Sequence, residues 1–396
     1  MKLMTVEDAR AAMTAQAAPL EAEAVPLREA IGRVLAQDVT AVRDQPPFTN
    51  SSMDGWAIRS ADTPGTLAIV GESAAGHGYM ETLRPGQAVR IFTGAALPDG
   101  ADAVVIQEDA SRQGEALTVP AAQPGDNIRK AGRDFHGGDV LLKAPTRLDP
   151  WRLSLAASAG RAELSVRRKP RIAILSTGEE IVEAPAVPGP FQIYDSGSPA
   201  LQVMAEGWGA EVSRISGVRD QLEAVIEAMR GAQADLIVTV GGASVGDHDL
   251  VRAAAQALGA VFHVESVAVR PGKPTFFAVL ADGRRLLGLP GNPASAFVCA
   301  ELFLKPLIAA YGGTTAEPVM AGARLTEPLE ANGPREHWMR AKLSHGEGVL
   351  LATPYRDQDS SLVSVFAGAD ALLRRRAGAP ACHAGDLVEI LPLARA

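Results

Sequence analysis

Residues 235–249, DLIVTVGGASVGDHD, constrain the fold more than any other stretch of the chain. The apolar, β-branched run 236–240 ends on two glycines, the pattern of a strand buried on both faces of a parallel sheet. Gly241, Gly242 and Gly246 let the backbone take positive φ and let a ligand approach bare N–H groups. From Asp249 the spacing of Leu250, Val251, Ala254, Ala255 and Leu258 is helical, with Gly259 placed to end it. Strand, glycine turn and helix N-terminus aim unpaired N–H groups and the positive end of a dipole at one point, which suits a phosphate or another oxyanion. The same loop carries Asp247 and Asp249, which repel a bare phosphate. A bridging Mg²⁺ reconciles acid and anion in one crevice.

Short patterns in this stretch compete. The dinucleotide fingerprint G-x-G-x-x-G fails at Ala243, and no Walker A lysine follows Gly246. Residues 242–246 do fit the G-x-S-x-G nucleophile elbow, so one reading is a serine hydrolase with Ser244 as nucleophile and a histidine from among His263, His337, His345 and His383. A purely structural strand-to-helix turn is another.

A chain of 396 residues exceeds one ordinary core, and roughly 150 residues per domain predicts two to four domains. Thr5 is placed to cap a helix through Ala9, Met13 and Ala17, and 27–35 reads as a second helical stretch. The segment 43–57, rich in Pro, Asn, Ser and Gly, is a loop whose Asp54-Gly55 also fits a simple turn. The runs LAIV, AVRIF, AVVIQ, ALTV and DVLL between 67 and 143 are strands split by turns. Asn127 to Arg133 gathers cations and amides, equally the composition of a solvated loop. Asp149-Pro150 caps a helix that Gly160 closes. Residues 171–311 then alternate strand and helix, which predicts a parallel sheet covered on both faces. Asn292 and Pro293 are set to start a long helix through Phe297, Leu302 and Ile308. In such a sheet the ligand crevice lies beyond the carboxyl ends of the strands, so the turns 176–180, 241–249 and 290–295 should converge. Short alternating runs after Gly313 predict a small β-barrel or sandwich.

The expected architecture is therefore a multidomain α/β chain. It comprises a helical linker domain (1–26 and 145–170), a β-rich insert (27–144), a doubly wound α/β domain (171–316) and a C-terminal β-barrel (317–396). Composition narrows the function. A net charge of −8 argues against broad nucleic-acid binding. Cys299 and Cys382 are the only cysteines, so no disulfide framework forms, and without C-x-x-C or H-E-x-x-H a zinc site is not expected. No uncharged run approaches the ~20 apolar residues of a membrane span, and the first residues lack a signal-peptide core. Cytoplasmic location without membrane attachment is the expectation.

Six motifs occur in order: Asn50 to Gly55 (NSSMDG), Ile91 to Ala95 (IFTGA), Asn127-Ile128-Arg129, Ser176 to Glu180 (STGEE), Gly241 to Gly246 (GGASVG) and Gly288 to Pro293 (GLPGNP). With them the chain resembles the MoeA family, which includes the gephyrin E domain, over essentially its full length. That resemblance implies a molybdopterin molybdenumtransferase that takes adenylyl-molybdopterin and molybdate, inserts the metal at the dithiolene and releases AMP with help from Mg²⁺. It implies Asp54, Glu180, Asp220 and Asp249 as functional acids, Glu180 and Asp249 serving the Mg²⁺. Asp220, standing before a helix, also fits a plain N-cap. Arg270, Lys273, Arg340 and Ser360 resemble the family's molybdate pocket. Thr93 and Arg129 carry over as supports, and Thr177, Gly241, Gly242, Ser244, Pro290 and Asn292 as contacts of the molybdopterin-bearing substrate. The resemblance further implies a homodimer with composite sites, and as partners the adenylyltransferase of the same pathway and the molybdoenzyme targets. The chain departs from the family pattern at Gly197, where an Asn is usual, and at Ser266, where many relatives place a lysine. Ser266 also fits a small polar residue facing solvent at a strand end. A scaffold role, by contrast, calls for added interaction regions joined by a long linker, which the sequence does not show.

Overall fold

The computed structural model describes residues 3–241, 250–346 and 348–393. Contacts divide the chain into a larger unit (Met1–Glu23, Gly32–Val34, Val166–Ala396) and a smaller one (Ala24–Ile31, Leu35–Ser165).

The larger unit holds a six-stranded sheet in the order Glu211–Val218, Arg171–Thr177, Leu236–Val240, Arg285–Leu289, Phe276–Val279, Val261–Val264. The first four strands are parallel. Alternation along them separates two cores. Ile172, Ile174, Leu236, Val238 and Leu287 face the helices Val6–Thr14, Ser198–Gly207 and Pro293–Cys299. Ala173, Leu175, Ile237 and Leu286 face Leu222–Gly231 and Leu250–Ala257. The doubly wound arrangement is present, but the sheet is mixed, because Phe276–Val279 runs antiparallel to the strands on either side of it. The cause is local. Leu280 and Arg284 close a tight turn around Gly283 at φ 86°, and so short a link returns a strand only antiparallel.

Thr5 caps the first helix as expected, its hydroxyl accepting from the Asp8 N–H at 3.1 Å, and Val6, Ala9 and Met13 are buried in the larger unit's core. Pro150–Ser158, capped by Asp149, belongs to the smaller unit. The run Pro293–Tyr311 is 19 residues long with a mean hydropathy of 1.4, yet it carries Glu301 and Lys305 and is 83% buried as a core helix.

The barrel is closed by five strands: Ala321–Leu325, Glu336–Gly346, Val349–Pro354, Ala371–Arg375 and Leu387–Pro392. Glu336–Gly346 pairs with both Val349–Pro354 and Ala371–Arg375, which completes the ring. The two-residue strand Val269–Arg270 joins Glu336–Gly346 in parallel register, so a loop of the α/β region ends on the barrel wall.

In the smaller unit a six-stranded sheet runs Ala103–Ile106, Gly55–Ile58, Gln87–Ile91, Gly65–Ser73, Ala116–Val119, Ser111–Gln113. One sequence expectation fails here. Residues 27–35 form only a 3-10 turn, Leu27–Glu29, because Gly32 takes φ 72° and breaks the helical path. Val140–Leu142 pairs with Val39–Thr40 in a separate two-stranded sheet.

Candidate functional site

Three turns at the carboxyl ends of Arg171–Thr177, Leu236–Val240 and Arg285–Leu289 bound a crevice of about 660 Å³, as the strand pattern predicts. Thr177, Glu180, Gly241, Pro290 and Asn292 line it. Backbone crowding explains the glycines. Gly241 has φ 88°, and a Cβ there would meet the Thr177 carbonyl at 3.1 Å. A Cβ at Gly291 would lie 3.3 Å from Gly241 Cα, so two chain segments touch at the crevice floor. Gly178, at φ 129°, leaves room for the Glu180 carboxylate, whose Oε2 would be 2.6 Å from an added Cβ.

Asp220 holds the turn next to Glu180, its Oδ2 accepting from the Glu179 N–H at 3.3 Å. It is not a helix cap: the cap position of Leu222–Gly231 is Gln221, which makes no capping bond. Asp195 carries that duty for Ser198–Gly207, its Oδ1 accepting from the N–H groups of Gly197 and Ser198 at 3.0 Å each. Its other oxygen takes the Ser198 hydroxyl and, at 3.3 Å, that of Ser176. A Cβ at Gly197 would reach Val240 Cγ1 at 3.4 Å, ordinary contact, so the departure at Gly197 leaves space rather than strain.

Asn292 occupies the N-cap of Pro293–Cys299 but does not cap with its side chain. Pro293 has no N–H, and the Ala294 N–H is instead met by the Ser360 carbonyl at 3.1 Å. Asn292 Nδ2 donates to Ser360 Oγ at 2.8 Å. The crevice thus reaches the loop that supplies Ser360, and the adjacent Ser361 and Val363 line it.

Beyond that loop lies Arg340, which is fully buried. Its Nη2 donates to the Asp359 carbonyl at 2.8 Å, while Nε and Nη1 have no partner. Burial lowers its pKa, the carboxylates of Asp357 and Asp359 oppose this, and Arg270 adds to the lowering. An unmade hydrogen bond on a buried polar group costs about 1–3 kcal/mol. Two on one guanidinium mark a place where an anion belongs. Arg270 and Lys273 are exposed on the loop whose Gly272 has φ 120°. A Cβ at Gly272 would strike Cys299 Sγ at 2.2 Å, and Thr275 Oγ1 ties that turn to the Gly272 carbonyl at 2.8 Å. Cys299 is packing: burial pushes its thiol up to about 12. Ser266 is 5% exposed, with its carbonyl accepting from the Met4 N–H, so it does not face solvent at a strand end.

The smaller unit gathers its own set. Asp54 Oδ1 accepts from the Thr93 N–H at 2.8 Å and the Thr93 hydroxyl at 2.9 Å. These bonds, with Arg90 nearby, hold the Asp54 carboxyl below its usual range. Gly55 begins a strand rather than a free turn, and a Cβ there would fall 2.1 Å from the Val105 carbonyl. Arg129 pairs across from Asn50 and lines a hollow of about 460 Å³ with Gly94 and Arg133. The Asn50 Oδ1 is buried without a partner.

Gly242, Ser244 and Asp249 lie outside the described residues. Among the rest, Thr177, Glu180, Gly241, Pro290 and Asn292 gather at the crevice, Asp220 holds the turn next to Glu180, Ser360 joins them through Asn292, and Asp54 and Thr93 meet in the smaller unit. Sequence reading missed Asp195, whose signal is an acid three residues before Ser198-Pro199 at a helix start, and gave His337 only a place in a nucleophilic triad.

The strand-end crevice, with the buried Arg340 beyond it, places the candidate site of this α/β chain at the carboxyl ends of its parallel strands. The sequence matches the MoeA N-terminal region (domain I and II) over 4–160, a probable molybdopterin binding domain over 173–310 and the MoeA C-terminal region (domain IV) over 322–393. It is 36% identical to a molybdopterin molybdenumtransferase of Bacillus subtilis, covering 94% of this chain and 90% of that one. It is 37% identical to one of Nostoc over 83% and 79%. Among solved structures, a molybdopterin biosynthesis MoeA protein of Pyrococcus horikosii superposes with a TM-score of 0.84 at 30% identity, covering 99% of both chains. The chain belongs to the MoeA family. Membership displaces the hydrolase reading of residues 242–246.

Proposed function

We infer that the protein is a molybdopterin molybdenumtransferase that inserts molybdate into adenylyl-molybdopterin and releases AMP. The observation that carries this reading is the junction of two unlike subsites: the glycine-floored crevice lined by Glu180, with Asp220 holding the turn next to it, and Arg340 with two buried donors unmade. The phosphates of the nucleotide lie against Thr177 and Gly241. Arg270, Lys273, Arg340 and Ser360 hold molybdate, cations and a hydroxyl being suited to a tetrahedral dianion. Asn292 positions Ser360 for that contact.

Glu180 and Asp220 offer oxygen ligands of the kind Mg²⁺ takes together with substrate phosphates and water. Among the described residues no group of three ligating side chains forms. Glu180 and Asp220, together with Asp249, are the residues that would hold the ion. A bound Mg²⁺ would supply positive charge against the pyrophosphate. Glu180 and Asp220 would act on the phosphates only through such an ion, and Gly241 gives the phosphates close access to the backbone.

The acids are divided between the two units, and we take the functional form to be a cytoplasmic homodimer with composite sites. The primary test is AMP release from adenylyl-molybdopterin with molybdate and Mg²⁺; its absence in purified, folded protein would refute the assignment. The dimer is tested by mixing Asp54→Ala and Asp249→Ala subunits. Each mixed dimer then contains one intact site, so about half of wild-type activity should return per heterodimer. No recovery after verified subunit exchange rules the composite site out.

A further inference from the structure

His337 lies on Glu336–Gly346, in register between Arg270 on one neighbouring strand and Arg375 on the other. The three side chains therefore leave the same face of the barrel wall; Arg340, three residues on, leaves the other, yet it and Arg270 bear electrostatically on each other and on His337, so the cations lie close together at this end of the strand. The His337 ring is 7% exposed and its Nε2 has no hydrogen-bond partner. Arg375 is also buried, and its guanidinium meets only neutral acceptors: the carbonyls of Glu330 and Pro380 and the Cys382 sulfur. Arg270 has no ion-pair partner among the described residues. The charged groups that bear on His337 are all cationic, Arg270 and Arg375 from the flanking strands, Arg340 and Arg335 from its own strand and the turn before it. Glu336 is engaged on the other face, where it pairs with Arg374 at 2.8 Å.

A buried imidazole with an idle nitrogen, on which only guanidiniums and no carboxylate bear, is an incomplete arrangement that an anion completes. Burial first, and then the four arginines, push the His337 pKa down to about 4, so the ring is neutral in the free protein at ordinary pH. A dianion alongside reverses the electrostatic sign and favours the imidazolium. We propose that His337 belongs to the oxyanion site it shares with Arg270 and takes up one solvent proton when the dianion binds, so that Nε2–H donates to an anion oxygen. The inference rests on placing molybdate at the Arg270 pocket. Only an N–H bond forms; protein, proton and molybdate combine without loss of any group. Because binding raises the imidazole pKa, affinity grows as pH falls from the bound-state value towards the free-state one, by up to about tenfold per pH unit.

The test is calorimetric titration of the full chain with molybdate between about pH 6 and pH 8, in two buffers of different ionisation enthalpy. Wild type should show buffer-dependent heats equal to uptake of a large part of one proton, and weaker binding at the higher pH. His337→Gln should abolish the buffer dependence, flatten the pH slope and weaken binding at about pH 6 by roughly tenfold. His337→Asn is the second variant if the glutamine does not fold, checked by circular dichroism. Arg340→Ala should weaken binding at every pH while keeping proton uptake. Wild-type uptake and affinity in His337→Gln would remove His337 from the site and leave the pocket standing. Binding indifferent to Arg340→Ala and Arg270→Ala would instead remove the pocket assignment.

Discussion

The crevice beyond Leu236–Val240 is assembled from backbone, whereas the cationic patch beside Val269–Arg270 is assembled from side chains. In the crevice, close chain contacts at Gly241 and Gly291 set the shape, and Glu180 lines it. In the patch, Arg340 and His337 are buried on barrel strands and carry unmade hydrogen bonds. The first region is shaped by close backbone contacts around an open volume. The second is set by buried side chains whose idle donors leave hydrogen bonds unmade.

The contrast makes its sharpest demand on Arg340. Losing two charge-assisted hydrogen bonds of roughly 1.5–3 kcal/mol each should raise the half-saturating molybdate concentration about a hundredfold or more in Arg340→Ala. The Mg²⁺ titration of AMP release should shift little, and equal damage to both titrations would break the division between regions. Arg270→Lys keeps the charge but loses the planar pair of donors, so a smaller rise in the molybdate requirement, about tenfold, is expected in the same assay. Superimposable curves would show that this loop does not touch the oxyanion. A milder effect is expected in the smaller unit. Asp54 has its pKa lowered in the folded state, so its contribution is present above the ordinary carboxylate value and is lost as pH falls through the depressed one. Thr93→Val removes the hydroxyl but not the N–H donor. NMR titration of the Asp54 carboxyl should show a partial upward return of its pKa, and no movement would assign the depression to the backbone bond alone.

Legibility followed the same division. Glycine turns, strand runs and helix caps are local, so the convergence of the turns around Thr177, Gly241 and Pro290 could be read directly. The antiparallel end of the sheet could not, because its direction depends on a turn at Gly283 that resembles any other surface glycine. Asp220 read equally as a cap, and only the positions of Gln221 and Glu179 separate the two roles. Ser266 looked like a solvent-facing residue because the segment that covers it comes from the chain start, at Met4. His337 shows no local signal: its meaning lies in Arg270 and Arg375, which reach it by strand register rather than by spacing along the chain.

The turn at Gly272 rests on Cys299, and the helix that carries Cys299 begins with Pro293 at the crevice mouth. One helix thus supports both the Gly272 turn and the crevice mouth. Six residues at about 1.5 Å each set a span of roughly 9 Å between its two supports. The helix is in effect a ruler. Its length sets the separation between the Gly272 turn and the crevice mouth, and inserting a residue between Pro293 and Cys299 would rotate one station about 100° away from the other.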